Sequence, residues 1–208
     1  SFQMQIQRPF ANGWNFVMGY NYNREQNEEF FDVQDSYLRN FTWQPAPNAR
    51  QRVTGAMIYE LPVGKGRKYM GSMNRAADAL LGGWSLSGLF TYNTGIPMRW
   101  GTLLIDGNPK LDNPTQTRWF DTSKVKIQPA FTRRTNQLQY DGLNGPRFWN
   151  IDTTLAKEYK IMERLKFELR AEAYNLTNRF PADNPVQDPN NQNFGKIITQ
   201  RGGAFGRQ

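Results

Sequence analysis

Residues 1–7 read SFQMQIQ, and residues 14–23 read WNFVMGYNYN. In the first stretch Phe2, Met4 and Ile6 alternate with Ser1, Gln3, Gln5 and Gln7. In the second, Trp14, Phe16, Met18, Tyr20 and Tyr22 alternate with Asn15, Gly19, Asn21 and Asn23, and only Val17 breaks the rule. Successive side chains of a β-strand point to opposite faces, so a period of two gathers the apolar groups on one face. What that face meets, a protein core or lipid, decides the fold.

The same alternation recurs in Arg52–Leu61, Trp84–Thr94, Phe148–Lys160 and Leu165–Thr177, which with Ser1–Phe10 and Trp14–Arg24 make six segments. Val53, Met57, Tyr59 and Leu61 oppose Arg52, Thr54 and Glu60; Trp84, Leu86, Phe90 and Tyr92 oppose Ser85, Ser87 and Thr91. Trp149, Ile151, Leu155 and Tyr159 oppose Asn150, Asp152, Thr154 and Glu158; Leu165, Phe167 and Leu169 oppose Lys166, Glu168, Arg170 and Glu172. The expected fold is all-β, an antiparallel meander of long strands without internal repeat or domain boundary. Ala11-Asn12-Gly13 predicts a tight hairpin turn, because Asn-Gly tolerates positive φ, and Met162-Glu163-Arg164 is a second short connection. Residues 25–51, 95–147 and 178 onward are long and rich in Asn, Asp, Pro and Gln, and read as structureless loops. Chain parity puts 25–51 and 95–147 at the opposite end of the strands from Asn12 and Glu163. Residues 64–83 form an intermediate connection with one or two helical turns at Asn74–Leu81.

Alternation alone fits a soluble sandwich as well as a membrane barrel. Three features favour lipid. The segments have about ten residues, the length a tilted strand needs to cross a bilayer, against roughly five or six for an ordinary strand. Trp14, Tyr22, Tyr59, Trp84, Tyr92, Trp149 and Tyr159 sit near segment ends, where an interfacial girdle places aromatics. Short turns alternate with long polar loops, as at the two ends of an outer-membrane barrel. The lipid-facing or girdle set is then Trp14, Phe16, Tyr20, Tyr22, Met57, Tyr59, Trp84, Phe90, Tyr92, Trp149, Ile151, Tyr159, Phe167 and Leu169. The lumen-facing polar set is Asn150, Asp152, Glu158, Lys166, Glu168, Arg170 and Glu172. Arg170, between Glu168 and Glu172, is expected to reach Glu158 or Asp152 across the hairpin, depending on register.

Composition narrows the chemistry. There are 26 Lys+Arg against 18 Asp+Glu, no His and no Cys, so a Cys/His zinc site, a His-based triad and a thiol nucleophile are excluded within these 208 residues. The net charge of +8 is scattered and forms no stripe, which argues against a nucleic-acid partner. Gly64-Lys65-Gly66-Arg67-Lys68 lacks phosphate-loop spacing and reads as a basic turn. Asp106-Gly107-Asn108, Asp112-Asn113, Asp183, Asp188, Asn190 and Asn191 offer oxygen ligands, but without an EF-hand pattern they read as turn formers, and no metal or other cofactor is expected. Asn40-Phe41-Thr42 and Asn175-Leu176-Thr177 match the glycosylation triplet, a match that arises by chance. Glu168 and Glu172 are flanked by Lys166 and Arg170 alike, which gives them no pair of contrasting environments such as acid–base work requires. An enzyme is not expected.

GPRFWNIDTTLAKEYKIMERLKFELRAEAYNLTNRF (145–180) resembles the penultimate hairpin of TonB-dependent outer-membrane receptors, in the subgroup with an N-terminal carboxypeptidase-regulatory-like domain. Tyr59-Glu60-Leu61-Pro62, Gly82-Gly83-Trp84, Gly95-Ile96-Pro97, Trp119-Phe120-Asp121 and Asn193-Phe194-Gly195 are similar to family pieces in the same order. The resemblance implies a bacterial outer-membrane location and a large barrel around a plug domain of the same full-length chain. It also implies inward transport of a scarce nutrient, energised by the TonB system through segments not in these residues. The substrate, small molecule, glycan or peptide, is not legible. Residues 1–208 are then expected to be a near-C-terminal part of the barrel, truncated at both ends, and an open sheet because six strands cannot close a 22-stranded barrel. The rival expectation is a soluble or surface β-domain that binds carbohydrate or protein through Trp100, Trp119, Phe120 and Tyr140 in the long loops.

Overall fold

A computed structural model describes residues 1–30, 41–162 and 165–201. The chain begins with β1 (Phe2–Ala11) and β2 (Trp14–Tyr22), then a small hairpin of β3 (Gln26–Phe30) and β4 (Phe41–Pro45). There follow β5 (Gln51–Glu60), helix α1 (Arg75–Leu81) and β6 (Trp84–Asn93). The next connection holds β7 (Leu104–Ile105), β8 (Lys110–Thr115), β9 (Arg118–Phe120) and β10 (Val125–Lys126). Two long strands close the series, β11 (Phe148–Met162) and β12 (Leu165–Ala173).

The six long strands form one antiparallel sheet in the order β1-β2-β5-β6-β11-β12. All six alternating segments are therefore strands, with ends shifted by a few residues. The largest shift is at β12, which stops at Ala173 and not Thr177. Asn175 there takes a left-handed φ of 49° and gives its N–H to Asp152 Oδ1 at 2.8 Å. The Asn12-Gly13 turn has φ of 54° and 82°, positive at both central residues as a primed hairpin turn requires. The Glu163 connection lies outside the described residues. β1 and β12 are the two ends of the order and do not pair with each other, so the sheet is open.

Register carries the pattern of each strand across the sheet. Ile6 pairs with Met18, Met18 with Gly55, Gly55 with Phe90 and Phe90 with Ile151. The apolar sets of all six strands thus share one face. One residue of slip in any strand would turn its apolar set to the other side. Val17, the exception in the sequence, meets Ala56, and Ala56 meets Leu89. With Ile58 they make a small apolar island on the otherwise polar face.

α1 starts at Asn74, whose side chain accepts from the Ala77 N–H at 2.8 Å, an N-cap. Its residues include Ala76, Ala77, Leu80 and Leu81, strong helix formers, and Gly82-Gly83 ends it. The phosphate-loop-like stretch is a turn: the Gly66 N–H bonds Gly71 O and the Lys65 N–H bonds Asp78 Oδ1.

The long connections are not structureless, which corrects the sequence expectation. In residues 25–51 β3 pairs with β4, and in 95–147 β7 pairs with β10 and β8 with β9. Met98, Trp100, Phe120, Val125 and Leu143 form a buried cluster, with Leu103, Ile105, Trp119, Tyr140 and Phe194 packed around it. Trp100 and Phe194 each meet Phe120 edge-on, at 4.9 and 5.2 Å between ring centres. These connections fold together into one cap at the end of the sheet away from Asn12. A scattered apolar residue every few positions carries no period, so its burial could not be read from the sequence.

Candidate functional site

The candidate site is the pair of sheet faces and the cap above them. All seven residues of the predicted polar set lie on one face by register. At the cap end, Asn150 is buried and donates from Nδ2 to Asp152 Oδ1 at 2.8 Å; the same oxygen accepts the Asn175 N–H. This clamp fixes the start of the connection after β12. Toward the other end runs a ladder of charge. Lys166 pairs diagonally across the hairpin with Glu158 at 3.0 Å, and Arg170 pairs with Glu168 at 2.7 Å and Glu172 at 3.6 Å. Tyr174 donates its hydroxyl to Glu172 Oε2 at 2.6 Å. Arg170 stands opposite Ala156 and pairs along its own strand, not with Glu158 or Asp152 across the hairpin as expected from sequence.

The apolar island of Val17, Ala56, Ile58 and Leu89 floors two shallow grooves on this polar face. Sequence reading missed it, because its members are spread over three strands, with one or two exceptions in each.

The opposite face holds the whole predicted lipid-facing and girdle set. Tyr20, Tyr92 and Trp149 lie in one row toward the cap, through Val53. Trp14 and Tyr59 pair toward the turns, as do Tyr159 and Phe167, with Trp84 beside Lys157. Trp84 and Tyr92 are eight residues apart on β6, about 26 Å of strand at roughly 3.3 Å per residue. The charged residues of this face, Arg8 and Lys157, lie toward the turn end. The Arg8 guanidinium sits 3.9 Å from the Trp14 ring centre and the Lys157 ammonium 5.1 Å from that of Trp84. Leu169 pairs with Lys157, so it sits at girdle height and not mid-sheet.

Every fully buried apolar side chain among the described residues lies in the connections, and none lies in the six sheet strands. Phe2, Met4, Ile6, Met18, Met57, Phe167 and Leu169 are all exposed, as are the charged groups behind them. No second layer within the described residues covers either face.

The cap's polar anchors were not legible either. Asn136, buried, accepts the Leu103 N–H and donates to Gly101 O and Gln137 O, each within 3.1 Å. The Arg134 guanidinium donates to the Trp100, Asn136 and Gln137 carbonyls. Two contacts dock the β3–β4 hairpin: Arg99 pairs with Glu29, and Gln139 donates to Pro45 O at 2.7 Å. The loop aromatics expected to display a binding surface are inside the cap: Trp100 and Phe120 are buried, Tyr140 packs on them, and Trp119 donates its indole N–H to Asn144 O. Burial raises the Tyr140 hydroxyl above its ordinary pKa. Asp188 and Asn191 serve turns, Asp188 accepting from Asn190 and Asn191 from the Asn193 N–H, whereas Asp112 and Asn113, read as turn formers, lie in β8.

Comparison with known proteins agrees with this geometry. Residues 1–208 match a family model described as an outer membrane beta barrel domain. Searches of curated proteins and of solved structures found no match. With its whole length matched and its six long strands in one antiparallel meander, the chain belongs to the outer membrane beta barrel domain family and to the bacterial outer membrane.

Proposed function

We propose that the chain is barrel wall of a TonB-dependent transporter that takes up a scarce nutrient, with its apolar face on lipid and its polar face lining the lumen. The observation that carries this reading is that, among the described residues, six strands whose apolar sets all share a face hold no buried apolar side chain. Water on that face would leave a continuous apolar surface exposed, which soluble proteins avoid. Lipid removes the cost, and the ladder behind it from Lys166 to Glu172 stays hydrated. The resemblance of residues 145–180 supplies the TonB-dependent class. In such a receptor the apolar island at Val17 and Leu89 is the part of the lumen wall against which a plug rests.

The complete protein tests the class without knowledge of the substrate. In planar bilayers a plugged transporter is silent until the plug is loosened with denaturant, and the protein should co-purify with the periplasmic domain of TonB. An ohmic conductance in the untreated protein, with no TonB retained, would identify an open pore and overturn the proposal.

A further inference from the structure

The connection between β5 and β6 straddles the rim of the sheet at the turn end. On the polar side Arg67 pairs with Glu60 at 2.9 Å. On the apolar side Trp84 donates its indole N–H to Leu80 O at 3.1 Å, and the Lys157 ammonium donates to Gly82 O. Trp84 and Lys157 are register partners on the apolar face, so residues 80–82 are tied to that face at girdle height. The tether leaves Leu80 72% and Leu81 47% exposed, and Tyr69 and Met70 are exposed nearby. The same connection carries Lys65, Lys68 and Arg75, none of them in an ion pair among the described residues.

Exposed leucines beside unpaired cations, at the height of Trp14 and Trp84 under their own cations, match the boundary between acyl chains and phosphates. We propose that residues 64–83 are an interfacial anchor for the phospholipid leaflet at the turn end of the barrel. Leu80 and Leu81 enter the top of the acyl chains, and Lys65, Lys68 and Arg75 bind lipid phosphates. The inference rests on the apolar face meeting lipid. α1, at seven residues, is too short to hold as a free helix. The Asn74 cap and the bonds from Trp84 and Lys157 hold it in place instead.

The test uses the complete protein in a cysteine-free background, with single bimane-labelled cysteines, in vesicles of phosphatidylethanolamine and phosphatidylglycerol. The lipids are brominated either near the headgroup or near the chain ends. A probe at Leu80→Cys, repeated at Leu81→Cys, should lose fluorescence to the shallow bromines and little to the deep ones. A probe at Met18→Cys, in the central row, should lose it to the deep ones. Quenching at Met18 without quenching at Leu80 or Leu81 overturns the anchor and leaves the lipid-facing reading standing. No quenching at any of the three overturns both. Each Lys or Arg at an anionic surface strengthens attraction about fivefold. The triple change of Lys65, Lys68 and Arg75 to Gln should therefore abolish the extra shallow quenching that added phosphatidylglycerol gives at Leu80. An unchanged response rejects the phosphate contacts.

Discussion

Arg170 donates from Nη2 to Glu168 Oε1 at 2.7 Å, along its own strand, while its partner across the hairpin is Ala156. One guanidinium therefore bridges two carboxylates of a single strand, Glu168 and Glu172, and the cross-strand pair falls to Lys166 and Glu158. All of these groups are solvated, so the row depends on charge balance more than on burial. Arg170→Met should leave membrane insertion and the unfolding temperature of the complete protein unchanged. Arg170→Glu places three carboxylates in succession beside Glu158 and should lower the unfolding temperature at low ionic strength. The loss should vanish at ~1 M salt, where the Debye length is about 3 Å. Equal losses for both variants at every salt concentration would mean that packing, not charge, is at stake.

Phe90 lies in the central row of the apolar face and Ser87 on the polar face of the same strand. Phe90→Arg should destabilise the membrane-inserted protein by about 2–4 kcal/mol, and Ser87→Arg or Thr154→Arg much less. Leu169→Arg should cost only about 0–1 kcal/mol, because Lys157 already places a cation at its height. Equilibrium unfolding from vesicles measures all four. Equal damage at Phe90 and Ser87 would argue for a protein core on both sides.

Phe131, in the connection between β10 and β11, is fully exposed, and Asn12 lies in the turn at the opposite end of the sheet. On intact cells an impermeant maleimide should label Phe131→Cys and spare Asn12→Cys. Labelling of position 12 alone would invert the topology.

Phe120 is wholly buried and Asn136 nearly so. Phe120→Ala should destabilise the cap by about 3–5 kcal/mol. Asn136→Ala strands the Leu103 N–H and the Gly101 carbonyl, at about 1–3 kcal/mol for each buried group left unpaired. Both should open residues 95–147 to protease on intact cells while the heat-dependent gel shift of the barrel persists. Loss of the gel shift would mean that the cap and sheet fold as one unit.

Asp121 accepts from the Ser123 hydroxyl at 2.8 Å and pairs with Arg118 at 3.1 Å, and chiefly the Ser123 bond holds its carboxyl below the ordinary aspartate pKa. A depressed folded-state pKa stabilises the cap at pH above the unfolded value, and that stabilisation is lost as pH falls through the folded value. Protease opening of the cap should therefore rise in the acid range. Asp121→Asn should be more open at neutral pH and lack that acid-dependent step. A wild-type acid response in the variant would remove Asp121 from the account.

The sequence by itself determined the sheet. The alternation at Phe2-Met4-Ile6 and its five counterparts is a local signal with a period of two, and a strand needs only that period and a turn at each end. Asn12-Gly13 supplied one such turn through its own backbone preference, and Asn74 marked the helix start for the same local reason. The division of all six strands into one apolar and one polar face, and the membership of both sets, was legible because register merely repeats each strand's own alternation.

Only the tertiary structure decided what depends on residues distant in the chain. The cap core joins Met98, Phe120, Leu143 and Phe194, which share no period. Val17 became part of an island only when register set it beside Ala56 and Leu89. The height of Leu169 turned on pairing with Lys157. A side chain's face follows from its own strand, but its neighbours and its depth follow from the stagger between strands, and that stagger is fixed by the whole sheet.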